Sequence, residues 1–171
     1  MKDLAIDTKI VRFISSYRTR YMTTLMKFMT RVGDGWLWSA LCIMFFLINH
    51  RVGLILITGS LLQILLQQII KHSIGRKRPY VAHRDIFYLI APPDKFSFPS
   101  GHTAAAFVFV FAFYHFYMGL FIPMLVIACL IAFSRIYLGL HYLSDVIAGF
   151  ILGYACYELG LIIINHLFII H

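Results

Sequence analysis

Charge is missing from most of this chain, and that absence constrains the fold more than any residue present. Of the 22 Asp, Glu, Lys and Arg residues, ten lie in 1–34 and eight in 71–95, leaving Arg51, Arg135, Asp145 and Glu158 alone in the other 112 positions. Of 171 residues, 61% are hydrophobic and 13% charged, against a charged share of about a quarter in soluble domains. A domain of this size cannot hide so much apolar surface, so lipid must solvate its outside. The net charge of +8 suits an anionic partner. It does not suggest nucleic acid, whose readers need a water-exposed basic face.

A helix needs about 20 residues to cross the hydrocarbon, and open sheets cannot cross at all. Five segments qualify: 36–50, 53–71, 101–118, 119–136 and 145–168. Trp36 and Trp38 read as interface anchors that extend the first. In 3–31, Ile10, Ile14, Tyr17, Tyr21, Leu25 and Phe28 recur at helical spacing, with Lys9, Arg12, Arg20, Lys27 and Arg31 mostly elsewhere on the wheel. That pattern describes an amphipathic helix in the membrane interface, with a sixth span as the alternative. The expected class is therefore an all-α polytopic membrane helix bundle: five transmembrane helices plus an N-terminal amphipathic helix. Gly33-Asp34-Gly35 turns into the first span. The only other extended polar segment is 72–98, with Pro79, Pro92 and Pro93 inside it and Pro99 just after. Lys2, Lys9, Arg12, Arg18 and Arg20 occur without the apolar core of a cleavable signal peptide. Cys42, Cys129 and Cys156 are odd in number, far apart and set in apolar runs, so they read as buried thiols.

Parity places the ends of these spans. If 53–71 ends on one face, 72–98 lies there, 101–118 leaves it and 119–136 returns. Lys71, Arg78, Ser100, His102, Arg135, His141 and Asp145 then meet at one membrane face. Lys71, Arg78 and Arg135 offer cationic donors to phosphate oxygens. Pro99-Ser100-Gly101 opens a helix whose free N–H groups favour an anion. His141 and Asp145, four apart, share a face, so the carboxylate can fix the imidazole tautomer for nucleophilic attack. His102 can donate a proton to the departing group. A metal held by His102, His141 and Asp145 is the rival chemistry. The surplus of positive charge from Lys71, Arg76, Lys77, Arg78 and Arg135 weighs against it, so neither metal nor cofactor is expected.

The strings Lys71-His-Ser-Ile-Gly-Arg-Lys-Arg78-Pro79, Pro99-Ser100-Gly101-His102 and Ser134-Arg135 followed by His141 and Asp145 resemble the tripartite signature of the type 2 phosphatidic acid phosphatase (PAP2) superfamily. That superfamily comprises integral membrane lipid phosphatases, with vanadium haloperoxidases and bacterial acid phosphatases among its soluble relatives. The resemblance covers about 55–165. It implies a phosphohistidine on His141, Asp145 as its partner, His102 as general acid, and Lys71, Arg78, Ser100, Gly101 and Arg135 as the phosphate cradle, without metal. Members usually have six transmembrane helices; here the first is missing or reduced to 3–31. Residues 1–35 then form an amphipathic interfacial segment and 36–171 a transmembrane PAP2-like phosphatase domain. The expected activity is release of phosphate from a lipid phosphate or diphosphate: polyprenyl diphosphate, phosphatidylglycerophosphate, phosphatidic acid or lipid A 1-phosphate. A non-catalytic lipid-phosphate binding or transport protein is the competing class. The expected partners are the lipid substrate and membrane lipids, in a multi-pass cell (inner) membrane protein. Counting positive charge puts the active face in the cytoplasm, but the family's sites face the periplasm or exterior, and that orientation is expected.

Other polar residues are read more plainly. His115 and Glu158, each thirteen residues beyond a motif residue, lie about 20 Å below the active face and read as a buried structural pair. Gln63, Gln67 and Gln68 read as interhelical hydrogen-bonders, with lining of the lipid access route as the alternative. Tyr80, His83, Arg84, Asp94 and Lys95 are candidate headgroup selectors or ordinary solvated loop. Arg76 and Lys77 lie inside the first string and are candidates for phosphate contact, although the family pattern leaves them free. Arg51 has no assigned role.

Overall fold

Backbone groups facing lipid must pair within their own segment, and the apolar stretches do so as helices. The computed structural model describes residues 5–92 and 94–169; Lys2, Pro93 and positions 3 and 4 of the amphipathic segment lie outside them. The helices are α1 (Ala5–Ser16), α2 (Arg20–Val32), α3 (Gly35–Ile48), α4 (His50–Ile74), α5 (Pro79–Ala82), α6 (Gly101–Phe116), α7 (Met118–Tyr137) and α8 (Leu143–Ile169). No strand occurs among the described residues, only one antiparallel bridge between Lys77 and Phe96.

The helix lengths support three or four of the five expected spans. α4, α7 and α8 are long and apolar enough to cross a membrane, and α2 with α3, bent by 46°, makes a fourth if the pair is one span. α3 has 14 residues and α6 has 16, short of the about 20 a crossing needs. α3 is short because the chain breaks at Gly33 and Asp34 before it. α6 is enclosed by α4, α7 and α8, and Ala104, Ala106, Val108, Phe109, Val110 and Ala112 along it are buried. A helix shielded by its neighbours need not match the bilayer.

Small residues bring the long helices together. A Cβ at Gly149 or Gly153 of α8 would stand 2.6 Å from the carbonyl oxygen of Ser100 or Ala104 on α6, and one at Gly160 would stand 2.9 Å from the backbone nitrogen of Gly59 on α4. This close approach is how helices associate where lipid supplies no hydrophobic drive. Large apolar side chains such as Leu47, Leu61, Ile122 and Ile162 face outward, as lipid solvation requires.

The N-terminal segment also departs from expectation. It is two helices, broken at Tyr17–Thr19, with the Thr19 side chain accepting from the Met22 N–H to cap α2. Tyr17, Tyr21, Leu25 and Phe28 point outward, while Asp7, Thr8, Val11, Met26, Met29 and Thr30 turn inward. The apolar stripe therefore marks the lipid side, and a partly polar face docks on α7 and α8.

Two further readings change. Trp36 is exposed, but Trp38 is buried, packs on Phe109 with ring centroids 4.8 Å apart, and donates from Nε1 to the Gly33 carbonyl at 3.0 Å. Cys42 and Cys156 are buried, whereas Cys129 is exposed on α7. An apolar run says that a thiol avoids water, and here lipid-facing surface does that as well as a core.

Candidate active site

The site is built where helix ends converge. α4 ends at Gly75, whose φ of 60° is the left-handed conformation glycine adopts freely, and whose N–H bonds the Lys71 carbonyl. The chain then doubles back, with the Ser97 N–H on the Arg76 carbonyl at 2.9 Å, and returns to the start of α6. The Ser100 N–H donates to the Asp145 carbonyl at 3.0 Å, tying α6 to α8. After α7, a turn at Gly139, φ 75°, lets the backbone N–H groups of Leu140 and His141 both reach the Arg135 carbonyl at 3.1 Å.

Lys71, Arg78, Gly101, His102, Arg135 and His141 line one cavity of about 520 Å³. Arg78 donates from Nη1 to the Leu140 carbonyl at 2.9 Å, and the same nitrogen stands 3.2 Å from His141 Nε2. A guanidinium only donates, so Nε2 presents its lone pair and the ring proton belongs on Nδ1. That nitrogen faces Asp145 Oδ2 at 3.5 Å. Burial, and then the charges of Arg78, Arg135 and Lys71, hold the His141 imidazolium pKa well below its ordinary value. The ring is therefore neutral near pH 7. Arg135 is buried and donates from Nη1 to Thr30 Oγ1, while its Nε has no hydrogen-bond partner among the described residues.

Asp145 and Ser100 are brought close but stay behind the cavity wall. Asp145 is fully buried, accepting at Oδ2 from the Tyr142 N–H at 2.9 Å and at Oδ1 from Arg76 Nη1 at 2.6 Å. The Ser100 hydroxyl lies 2.9 Å from Thr103 Oγ1 and makes no capping bond; Gly101 forms that wall. A Cβ at Gly101 would collide with the Gln67 side chain at 2.4 Å. Arg76, a candidate phosphate contact, lies elsewhere: its guanidinium also donates to Asp7 Oδ2 at 2.8 Å and Ser144 Oγ at 2.7 Å, with the Tyr142 ring 4.2 Å away. Lys77 is exposed.

The loop candidates separate. Asp94 lies in the cavity, accepting from Lys71 Nζ at 2.5 Å and from Arg78 Nη2 at 2.8 Å. Burial opposes its charge, but Lys71 and Arg78 outweigh this and hold its carboxyl below the ordinary range. His83 Nε2 lies 3.2 Å from Thr8 Oγ1, Tyr80 packs on Tyr88, and Arg84 and Lys95 are exposed. Gln63, Gln67 and Gln68 all line the cavity, and Gln63 donates to Gln67 along α4 itself; the lining role thus replaces the interhelical one.

Sequence reading missed Asp34, whose Oδ1 accepts from His102 Nε2 at 2.9 Å, and Thr30 on Arg135. Gly33 makes room: a Cβ there would stand 2.9 Å from the His102 ring. The signal existed, since parity puts the start of 36–50, and hence Asp34, on the same face as the motifs. The expected buried pair of His115 and Glu158 is absent. Both border a second cavity, His115 is exposed, and no hydrogen bond or ion pair links them among the described residues. Arg51 donates to Asn165 Oδ1 at 2.9 Å.

Known proteins resemble this chain in sequence and in fold. The chain is 23% identical over 160 residues to an undecaprenyl-diphosphatase of Sulfolobus acidocaldarius, covering 89% of this chain and 75% of that one. It is 33% identical over 122 residues to phosphatidylglycerophosphatase B of Bacillus subtilis, covering 64% of this chain and 57% of that relative. The crystal structure of Aquifex aeolicus LpxE superposes with a TM-score of 0.86 at 27% identity, covering 94% of this chain and 98% of the other. Such relatives place the chain among the phosphoric ester hydrolases, as a multi-pass membrane protein. With the PAP2 superfamily model matching residues 52–167, the chain belongs to the PAP2 superfamily.

Proposed function

We propose that the protein removes phosphate from a lipid phosphate or diphosphate by double displacement at His141, without a metal. One observation carries this: a buried neutral imidazole has its Nε2 lone pair on a cavity lined by Lys71, Arg78 and Arg135, and its other nitrogen beside Asp145. Binding alone would need the cations but not the nucleophile with its orienter. In the proposed reaction Nε2 attacks phosphorus as the P–O bond to the lipid breaks, and His102 protonates the leaving oxygen. The proton on His141 Nδ1 stays facing Asp145, which stabilises the cationic ring. Lys71, both arginines and the backbone N–H groups near Ser100 and Gly101 neutralise the phosphoryl charge. Water, deprotonated by His102, then attacks the phosphohistidine and releases phosphate. Asp34 is a positioning residue for His102. A divalent ion at His102, His141 and Asp145 would meet three cations at close range.

Candidate substrates are polyprenyl diphosphate, phosphatidylglycerophosphate, phosphatidic acid and lipid A 1-phosphate; relatives are named for the first, the second and the last. Residues 1–35 form the interfacial segment, lending Thr30 and Asp34 to a phosphatase domain in 36–171, and the active face looks to the periplasm or exterior of the cell membrane. The test is phosphate release from a panel of these lipids by the purified protein and by His141→Ala, with chelator and vanadate. Expected are loss of release in the variant, inhibition by vanadate and indifference to chelator. Unchanged release by His141→Ala overturns the mechanism, and loss with chelator restores the metal.

A further inference from the structure

The far side of the bundle holds a second cavity that the reaction does not use. α6 turns into α7 at Tyr117 after 16 residues, a rise of about 24 Å against roughly 30 Å of hydrocarbon. α8 runs on for 27 residues. The α6–α7 turn lies at the end of the bundle away from the active site, and a cavity of about 350 Å³ opens beside it. Phe111, Tyr114, Phe121, Tyr154 and Tyr157 wall it, joined by His115 and Glu158. Glu158 lies thirteen residues from Asp145, about 20 Å along α8.

Two polar groups wait there. Glu158 makes no hydrogen bond or ion pair among the described residues. Tyr157, 2% exposed, borders the cavity with a hydroxyl that has no hydrogen-bond partner. A carboxylate at this depth is costly unless a cation meets it, and so is a buried hydroxyl left unmatched. The rings present electron-rich faces that attract a cation; Phe111 and Tyr154 stand 4.8 Å apart, and Tyr114 and Phe121 5.2 Å.

We propose that this cavity binds a primary ammonium group, carried by the headgroup of an aminophospholipid in the leaflet opposite the active site. The ammonium sits against Glu158 and among the aromatic faces, with one N–H donated to the Tyr157 hydroxyl oxygen. A quaternary ammonium has no N–H to give, so the site prefers ethanolamine to choline headgroups.

The experiment uses the full chain in nanodiscs of phosphatidylglycerol with graded phosphatidylethanolamine or phosphatidylcholine, with retained lipid read by native mass spectrometry and thermal unfolding in parallel. The wild type retains phosphatidylethanolamine preferentially and gains thermal stability with it. Glu158→Gln and Tyr157→Phe, near-isosteric changes, weaken that retention, the first by about tenfold or more, while phosphate release in phosphatidylglycerol alone stays at the wild-type level and shows that both fold. A parallel arm adds soluble ethanolammonium: stabilisation that depends on Glu158 there but not with the lipid assigns the same site to a free amine. His141→Ala retains the lipid as the wild type does, so the result is independent of the proposed reaction. Equal retention of all three lipids by the wild type, or equal retention of phosphatidylethanolamine by Glu158→Gln, with no Glu158-dependent response to ethanolammonium, overturns the proposal.

Discussion

At the scale of single residues, the site is a set of charges that constrain one another. Lys71, Arg78 and Arg135 surround a cavity in which Asp94 is the acid bridging two of them, so a phosphate arriving there meets cations already held in place. The same cations act on His141. Its pKa is depressed by burial and by Arg78, Arg135 and Lys71, so in the free enzyme it loses its proton well below the ordinary value of 6.5. The acid limb of kcat/KM on a soluble phosphate ester, where it reports this group, should therefore lie below pH 6.5. Neutralising one cation with Arg78→Gln should move the limb upward, toward the ordinary imidazole value, besides lowering the rate. The shift also has a stability sign. Between 6.5 and the folded value the unfolded chain binds more protons, so stability falls as pH drops through that window, and His141→Ala should remove that part of the slope. A limb at or above pH 6.5 in the wild type contradicts the assignment, and pH-rate profiles with thermal unfolding across pH check both.

At the scale of elements, α1 is the part whose role was least foreseeable. Asp7 on α1 reaches Arg76 in the loop and the Ser144 N–H at 3.1 Å on α8, and Arg76 in turn holds Asp145. The Arg76–Asp7 pair is almost fully enclosed, with side chains 1% and 3% exposed, and breaking such a pair from one side costs about 3–5 kcal/mol. Asp7→Asn is thus expected to lower the unfolding temperature and expose α1 to limited proteolysis; an unchanged unfolding temperature counts against the strut. Burial opposes the charge of Asp7, but Ser144 and Arg76 outweigh it and hold its carboxyl below 3.8. Its stabilisation is complete above that value and disappears as pH falls through the folded one, a loss the variant should lack. Hydrophobic spacing showed that Tyr17, Tyr21 and Phe28 share a face, but it could not tell a lipid-facing stripe from a core-facing one, because both repel water. The motif residues were legible for a different reason: their chemical types are costly near lipid, and parity forced them together. Asp7, Thr30 and Asp34 act across 68 to 137 positions of sequence, and no local pattern encodes such distances. The shortness of α6, 16 residues, was likewise not legible, because its composition says nothing of the helices that enclose it.

At the scale of the whole molecule, the active cavity is graded along α4. Cations sit at one end, Gln63, Gln67 and Gln68 follow, and Ile57, Leu61 and Ile64 face Trp38, Cys42 and Ile43 of α3 at the other. From Lys71 back to Ile57 is fourteen residues, about 21 Å of helix, so the slot matches an amphiphile whose phosphate lies on the cations and whose chain runs between α3 and α4. The outward exposure of Leu61 and Ile64 leaves that slot reachable sideways from lipid, so in the proposed reaction a substrate need not leave the bilayer to reach His141. Chain contacts made equally in the ground and transition states lower KM without changing kcat. Filling the slot with Leu61→Trp should therefore raise KM for a long-chain lipid phosphate by about tenfold or more, the worth of a few buried methylenes, while kcat/KM for a short water-soluble phosphate ester stays the same. Steady-state kinetics on the two substrates in one detergent separate the outcomes. Equal loss on both substrates would mean the tryptophan disturbs the cations rather than the chain path, and no loss on either would mean the chain enters elsewhere.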